Sequence, residues 1–286
     1  MMRIIDCFQY FNEKELLELR IHLLKDVVDH FIIADANRTH TGVFKPFTCK
    51  DIIKKLGLSD VNITVIEVNM PSIDEEPNNW VRENMQRNAL SEFIKGDAVA
   101  IVSDCDEIIN PEFVEYYASV AQNSPNSILR IPMPLLNGRA DLQVFNDDLI
   151  TPKDWASAFM CLPHHAAKYS LSDIRVSRTF NIKIDFDNIF AIDNNTVKMA
   201  GWHFSWMGDP SRIALKYKST VDARDVISTV PAEQMSHYIE HYIPNANSTD
   251  TLGRSDHILR PYPISNLPEK LFQLDRVRNY LLPNYA

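Results

Sequence analysis

Glycine is scarce in this chain, and its spacing excludes the common phosphate-binding loops. Only seven glycines occur among the 286 residues, at positions 42, 57, 96, 138, 201, 208 and 253. Walker-type loops and dinucleotide fingerprints need glycines a few residues apart, so that backbone amides can surround a phosphate. A nucleotide bound here would need a metal ion, or arginine and lysine side chains, to hold its phosphates.

Paired cysteines and long apolar runs are absent as well. The four cysteines, at positions 7, 49, 105 and 161, lack the spacing of a zinc ribbon or a disulfide framework. No run of about 18 apolar residues occurs, and the N-terminus has no small-residue cleavage site of a signal peptide. These absences predict a protein without a membrane span in a reducing compartment, the cytoplasm.

Positive charge is in deficit too. The chain has 29 lysines and arginines against 38 aspartates and glutamates, which gives a net charge of -9 at pH 7. Nucleic-acid binders need a basic face that displaces counterions from phosphates. The charge balance therefore argues against a nucleic-acid partner.

The order of apolar runs predicts an α/β fold with a mostly parallel central sheet and helices on both faces. Helices are predicted after Asn12, whose spacing to Glu15 resembles a capping box, and after Thr48. The other predicted helices are residues 76–95, 111–120 and 269–282. The predicted strands are residues 4–8, 27–34, 61–68, 97–103, 128–133, 185–192 and 197–204. No linker or repeat is evident, so one domain is predicted.

The apolar strand predicted at residues 97–103 ends directly in Asp104 and Asp106. Open α/β sheets bind ligands beyond the carboxyl ends of their strands. Two carboxylates at such an end suit Mg²⁺ or Mn²⁺, with a diphosphate completing the coordination. A second Asp-x-Asp, Asp185 and Asp187, alternates with apolar residues, which indicates the solvated face of a half-buried strand instead.

Three further residues are candidates, each with a plain structural alternative. His203 stands between bulky aromatic residues, and imidazole is an acceptable ligand for Mn²⁺, although core histidines are common. Arg82 and Arg87 lie on nearby turns of the helix predicted at 76–95, and guanidinium groups recognise phosphate well. Their alternative is a solvated helix face shared with Glu83 and Glu92.

Five sequence blocks, in one order, carry a family resemblance. They are IIDCFQYFNEKELLELRIHLL, VDHFIIADANRTHTGVFKP, RENMQRNAL, AIVSDCDEIINP and AGWHFSWMG. In these blocks the chain resembles glycosyltransferase family 17, which includes an animal β-1,4-mannosyl-glycoprotein N-acetylglucosaminyltransferase. The resemblance implies a GT-A type nucleotide-sugar-binding fold, a UDP-sugar donor such as UDP-GlcNAc, a Mn²⁺-type ion (or Mg²⁺) and inversion at the anomeric carbon. The nucleotide-sugar-binding half would be residues 1–135, and residues 136–286 would form the acceptor half with the C-terminal helices.

The resemblance also implies roles for single residues. Asp104 and Asp106 would be the metal motif, with Asp104 also contacting the donor, and His203 would supply a third metal ligand. A direct displacement also needs a carboxylate that takes the proton of the acceptor hydroxyl. Several acids could take this role, and Asp209, just after the aromatic segment, is preferred over Asp141 and Asp173.

The uracil and ribose of the donor would be held at the ends of the first two predicted strands. Asp6, Phe8 and Asp35 stand at those positions. The predicted partners are therefore a nucleotide-sugar donor and a glycan acceptor, the latter not identified by the sequence.

Two other functions stay open. The same fold could serve as a glycan-binding module that keeps an aromatic surface but needs no metal. His237, Glu240 and His241 match the H-x-x-E-H pattern of some zinc proteases, with both histidines on one helix face. A solvated helix with two histidines explains that pattern equally well.

Overall fold

The structure, a computed structural model, describes residues 2–177, 184–190, 200–221, 230–231 and 233–283. The chain divides into two compact units. The first combines Met1–Met133 with Ala156–Gly201, and the second combines Pro134–Trp155 with Trp202–Ala286. The predicted division after residue 135 falls beside the first crossing between units, but residues 156–201 return to the first unit.

Strands and helices alternate through the first half of the chain, as predicted. The strands are β1 (Arg3–Tyr10), β2 (His30–Ala36), β3 (Ile63–Val68), β4 (Ala98–Asp104), β5 (Glu107–Ile109), β6 (Ser127–Arg130), β7 (Met133–Asn137), β8 (Arg139–Phe145), β9 (Asp154–Trp155), β10 (Phe159–Cys161), β11 (Asp187–Phe190), β12 (Gly201–Ser205) and β13 (Ile258–Pro261). The α-helices are α1 (Lys14–Leu24), α2 (Cys49–Lys55), α3 (Asn79–Asn88), α4 (Pro111–Asn123), α5 (Pro163–Lys168), α6 (Leu171–Val176), α7 (Pro210–Ser219), α8 (Met235–His241), α9 (Glu269–Gln273) and α10 (Asp275–Leu281).

A seven-stranded sheet forms the centre of the first unit, in the order β11-β6-β10-β4-β1-β2-β3. The neighbours β4, β1, β2 and β3 are parallel, and so are β11 and β6. Only β10 within this sheet runs antiparallel to its neighbours. The predicted α/β fold with a mostly parallel central sheet is therefore confirmed.

Helices cover both faces of this sheet. On one face, Ile5 of β1 packs in a buried cluster with Leu90, from the 3-10 helix that follows α3. On the other face, the ring of Phe8 lies beneath the guanidinium of Arg20 from α1. Because successive side chains of a strand point to opposite faces, β1 is enclosed from both sides.

Several strand bounds differ from the prediction. Strand β1 continues to Tyr10, two residues beyond the predicted end, and β2 begins at His30. The single strand predicted at 128–133 is two strands, because Pro132 has no amide hydrogen to donate to a ladder. Strands predicted at 185–192 and 197–204 correspond to β11 and β12, and residues 191–199 lie outside the described residues.

Helix ends also differ in part. The predicted capping box of Asn12 and Glu15 is wrong: the N-cap of α1 is Glu13, whose side chain makes no capping hydrogen bond. The helix predicted at 76–95 begins at Asn79 and gives way to a 3-10 helix at Ala89–Phe93. The C-terminal helix is interrupted at Leu274, which has an extended backbone, so α9 and α10 are separate.

The second unit has a smaller sheet with the path β13-β8-β7-β12, and β9 pairs with β7. Two small apolar clusters lie among its described residues. One contains Leu135, Leu142, Val144 and Leu259, and the other contains Trp206, Ile213, Met235, Ile239 and Leu252. Within the described parts of both units, no helix combines the length and the apolarity that crossing a membrane requires.

Candidate functional site

The candidate site lies at the carboxyl end of β4, a central strand of the first unit. Residues 98–103 of β4 are buried, and Asp104 is its first partly exposed residue, with 32% of its side chain accessible. Gln9 of β1 is the register partner of Asp104. The buried strand therefore ends, as predicted, in an acidic side chain at the sheet edge where α/β folds bind ligands.

Three side chains surround the carboxylate of Asp104. Its Oδ1 accepts hydrogen bonds from Gln9 Nε2 at 2.9 Å and Arg87 Nη2 at 3.2 Å, and its Oδ2 accepts from Arg175 Nη2 at 2.6 Å. Burial alone would raise the pKa of Asp104, but the guanidinium groups of Arg175 and Arg87 hold that pKa well below its usual value. The carboxylate is therefore ionised at neutral pH.

Glu107 extends this charge network inward. Its carboxylate accepts hydrogen bonds from Arg175 Nη1 and Nη2 at 2.9 and 2.7 Å, and from the amide of Asp104 at 2.9 Å. Burial alone would lower the pKa of Arg175, but Asp104 and Glu107 raise it. Neither residue was predicted as part of the site: Glu107 directly follows the acidic motif, whereas Arg175 lies 71 positions after Asp104 with no local signal.

Arg87 and Arg82 are both buried, so the alternative of a solvated helix face is wrong. Arg87 donates to Glu83 at 2.7 Å and to Asp104, which places it at the site. Arg82 instead donates to the carbonyl oxygens of His40, at 2.6 Å, and Glu76, and to Asn79 Oδ1. Arg82 thus tethers neighbouring loop backbone, and its phosphate-binding role stays a prediction.

Asp6 and Phe8 lie inside the sheet layer instead of at the strand end, because β1 extends to Tyr10. Both are fully buried. Arg20 Nε and Nη2 donate to the two carboxylate oxygens of Asp6 at 2.7 and 2.5 Å, and the same guanidinium stacks on Phe8 at 4.2 Å. The prediction that they lie at the end of the first strand is therefore wrong, and their role in donor binding stays a prediction.

Asp35 is near the end of β2, as expected, and is fully buried. Its Oδ1 accepts from Lys45 Nζ at 2.8 Å, and its Oδ2 accepts from the amides of Thr48 and Cys49 at 2.7 and 2.9 Å. Those amides open α2, so Asp35 supplies the capping acceptor that Thr48 was expected to provide. A contact with ribose stays a prediction.

Asp106 occupies the turn between β4 and β5 and is only 6% exposed. Around its neighbour Asp104, two buried polar atoms have no hydrogen-bond partner within the described residues: Gln9 Oε1 and Arg87 Nε. Buried groups of this kind are rare in folded proteins. Both belong to side chains that bind Asp104, so two of the unsatisfied buried polar atoms lie at the candidate site.

His203 and Asp209 belong to the second unit, and their assignments stay predictions. His203 lies in β12, is 7% exposed, and its ring centroid is 4.8 Å from that of Trp155. Asp209 is the N-cap of α7 and accepts from the amide of Arg212 at 3.0 Å and from Ser211 Oγ at 2.5 Å. Burial raises the pKa of Asp209, but these hydrogen bonds outweigh burial and lower it, so its carboxylate is a weaker base than an ordinary aspartate.

The second Asp-x-Asp is solvated, as predicted. Asp185 has 73% of its side chain exposed and pairs with Lys168 Nζ at 2.8 Å. Asp187 is exposed at the start of β11. Phe186, between them, points inward and packs against the buried core of the first unit.

An α/β unit with acidic and guanidinium groups at the carboxyl edge of its central strands is the architecture of many enzymes that bind phosphorylated ligands. Residues 1–131 of the chain match glycosyltransferase family 17. That segment contains Gln9, Arg87, Asp104 and Asp106. The family resemblance expected from the sequence is thus confirmed over this segment, and the match supports a glycosyltransferase.

Characterised relatives are similar over the same part of the chain. The β-1,4-mannosyl-glycoprotein 4-beta-N-acetylglucosaminyltransferase of Mus musculus is 27% identical over 118 residues, covering 37% of this chain and 21% of that enzyme. The Homo sapiens enzyme of the same name is 26% identical over 118 residues, covering 37% of this chain and 22% of that enzyme. The chain therefore spans about a fifth of the length of the curated relatives it matches.

Solved structures show a looser likeness. Mannosyltransferase PcManGT from Pyrobaculum calidifontis, in complex with GDP-Man and Mn²⁺, has a TM-score of 0.44 at 7% identity, covering 76% of this chain and 61% of that chain. TarS 1-349 of S. aureus has a TM-score of 0.41 at 10% identity, covering 84% and 70%. A 4-diphosphocytidyl-2C-methyl-D-erythritol synthase has a TM-score of 0.38 at 10% identity, covering 68% and 91%.

Proposed function

We propose that this chain is a metal-dependent inverting glycosyltransferase. In this proposal it transfers GlcNAc from UDP-GlcNAc to a hydroxyl of a glycan acceptor, and Mn²⁺ or Mg²⁺ is required. The proposal includes a cytoplasmic location, which the four free, buried thiols support.

The observation that carries the proposal is the charged edge at the end of β4. An ionised carboxylate, Asp104, is held there by Arg87 and Arg175, and two buried polar atoms beside it are unsatisfied within the described residues. The edge lies largely within the segment that matches glycosyltransferase family 17. A site with both signs of charge suits a cation together with a diphosphate.

The residues at this edge fit a hard divalent cation. Asp104 and Asp106 offer carboxylate oxygens, and the unsatisfied Oε1 of Gln9 offers an amide oxygen. Carboxylate and amide oxygens are the ligands that Mg²⁺ and Mn²⁺ prefer. Asp104 and Asp106 would hold the ion, and His203 is the proposed third ligand. When bound, such an ion stabilises negative charge on the departing diphosphate.

Arginine side chains would supply the remaining positive charge. Arg87 and Arg175 both contact Asp104, and Arg87 Nε is available as a further donor among the described residues. Guanidinium groups can bind phosphate oxygens in pairs, which also fixes the orientation of the ligand. Arg87 and Arg175 would therefore neutralise and position the donor diphosphate.

Proton transfer needs a carboxylate near the acceptor hydroxyl. Asp209 is retained as the proposed base, although its capping role and lowered pKa reduce its basicity. Asn is also a good N-cap residue, so Asp209→Asn removes the base while it keeps the cap.

The decisive experiment is a donor screen by thermal shift with UDP-GlcNAc, GDP-mannose and CMP-sialic acid, each with Mn²⁺ or with EDTA. A ligand that binds only the folded chain stabilises it by about 2.7 kcal/mol at a concentration one hundred times its Kd. We expect a raised melting temperature only with UDP-GlcNAc and Mn²⁺ together. UDP release under the same conditions should follow the same pattern.

Two variants make the screen specific to the site. Asp106→Ala should lose the Mn²⁺-dependent stabilisation and the affinity for UDP in titration calorimetry, whereas the matched variant Asp187→Ala should keep both. Unchanged UDP affinity in Asp106→Ala would refute the assignment of the metal site. Binding of a glycan without UDP release, with no effect of Mn²⁺, would favour the glycan-binding module instead.

A further inference from the structure

Helix α8 of the second unit carries metal-ligating side chains that the proposed transfer does not use. His237, Glu240 and His241 are all exposed, and one ligand atom from each lies within 4.8 Å of the other two. Residues three and four positions apart lie on the same face of a helix. The H-x-x-E-H pattern therefore brings three potential ligands together in space.

The two imidazole rings are arranged as paired ligands. Their centroids are 4.2 Å apart, and Nδ1 of His241 is 2.9 Å from the carbonyl oxygen of His237. Because a carbonyl oxygen only accepts, Nδ1 of His241 must carry the proton in that hydrogen bond. The lone pair of His241 is then on Nε2. Metal-binding histidines are commonly fixed in this way, with one ring nitrogen donating to a carbonyl and the other left for the ion.

The opposite face of α8 anchors the cluster. Met235 and Ile239 are buried against Trp206 and Ile213 in the apolar core of the second unit. The backbone that carries the three ligands is thus held by packing. Within the described ranges, no lysine or arginine forms an ion pair with Glu240, so its carboxylate has no competing cation there.

We propose that His237, Glu240 and His241 form a surface site for one divalent transition-metal ion, of the class of Zn²⁺, Co²⁺ or Ni²⁺. Two imidazole nitrogens and one carboxylate oxygen suit these ions better than Mg²⁺ or Ca²⁺. Three protein ligands leave at least one coordination position for water or for a side chain of another molecule. Its three ligands are different residues from those proposed to hold the cation at Asp104.

The proposed site differs from the zinc protease interpretation in the role of Glu240. In a helical two-histidine zinc motif of a protease, the glutamate acts as a general base beside the ion. Here one carboxylate oxygen of Glu240 lies within 4.8 Å of a ligand nitrogen of each imidazole, so the proposed site uses that carboxylate as a third ligand.

Titration calorimetry of the full chain with Zn²⁺, in excess Mg²⁺, tests the site. We expect one bound equivalent that the double variant His237→Gln, His241→Gln lacks. Each single variant should bind about tenfold more weakly or worse, because even residues that only support ligands contribute about that much. Co²⁺ should give visible absorption bands with the wild type and lose them with the double variant.

Two controls separate this site from other histidines and from the acidic edge. His164→Gln removes another exposed histidine and should bind Zn²⁺ as the wild type does. Asp104→Asn with Asp106→Asn should also keep this equivalent, even if it abolishes donor binding. The inference is overturned if the wild type binds no Zn²⁺, or if the folded double variant binds it with unchanged stoichiometry and affinity.

Discussion

The first unit contains the same Asp-x-Asp pattern twice, in two opposite environments. At the end of β4, Asp104 is held by Arg87 and Arg175, and Glu107 closes the network beneath it. Just before β11, Asp185 is largely exposed, forms an ion pair with Lys168 and is hydrogen-bonded to Tyr169. The motif is identical, but one copy lies where buried cations converge and the other faces solvent.

The difference is one of electrostatic energy. An ion pair between exposed side chains contributes little to stability, because water screens it and the side chains lose freedom. Buried charges must be paired, since an unpaired one loses its hydration without compensation. Asp104 and Glu107 are accordingly paired with the guanidinium groups of Arg87 and Arg175, whereas the exposed Asp185 keeps its hydration.

The largest expected effect is on the rate of sugar transfer, and it should differ between the two Asp-x-Asp motifs. Asp104→Asn should lower the rate of sugar transfer by about a thousandfold or more, since an ion that stabilises the leaving group contributes several kcal/mol. Asp185→Asn should leave the rate unchanged. Steady-state assays of UDP release from UDP-GlcNAc with Mn²⁺ measure both, and comparable losses in the two variants would remove the distinction.

The next largest effect is on the free energy of unfolding, which should differ between a buried and an exposed ion pair. Arg20→Met leaves the carboxylate of Asp6 buried without its partner, which should cost about 3–5 kcal/mol of unfolding free energy. Lys168→Met breaks the exposed pair with Asp185 and should have no measurable effect. Urea denaturation monitored by circular dichroism gives both values. A double variant, Arg20→Met with Asp6→Leu, should recover much of the loss.

His165, which packs against Phe186 of the second motif, should make the stability of the folded chain depend on pH. His165, 4.3 Å from the ring of Phe186, accepts from the amide of Leu162 through Nδ1 and contacts the carbonyl of Pro125 through Nε2. Only the neutral ring satisfies both hydrogen bonds. Burial, with the nearby His164, lowers the pKa of His165 from 6.5 to about 4.

Because the folded pKa of His165 lies below the unfolded one, the unfolded chain takes up its proton first as the pH falls. The contribution of His165 to stability is complete above pH 6.5 and is lost between pH 6.5 and about 4, amounting to about 3 kcal/mol. Urea denaturation of the wild type and of His165→Gln across this range measures it. Parallel pH profiles for the two proteins would contradict the prediction.

The smallest effect concerns Asp209, an acid of the second unit. Asp209→Ala removes the N-cap of α7 and should cost about 1 kcal/mol, whereas Asp209→Asn should cost a few tenths. If Asp209 is the base, both variants lose turnover and retain donor affinity. A wild-type rate in Asp209→Asn, measured alongside its denaturation curve, would leave Asp209 with a structural role only.

Much of the first unit was predictable from local pattern. Nearly continuous apolar runs such as residues 98–103 predict strands buried on both faces, and acids that follow such a run must lie at the sheet edge. The internal break at Pro132 and the extension of β1 to Tyr10 were missed. Strand ends depend on pairing with neighbours, which local sequence does not report.

The sequence by itself determined the alternation of strands and helices, the parallel sheet and the position of Asp104 at its edge, because these follow from periodicity and chain order. Only the tertiary structure decided which charges are buried and what they contact. Arg175 reaches Asp104 from another helix, Arg82 tethers loop carbonyls, and Asp6 pairs with Arg20 inside the sheet layer. Burial of a charge is favourable only with a partner in place, and those partners come from distant parts of the chain.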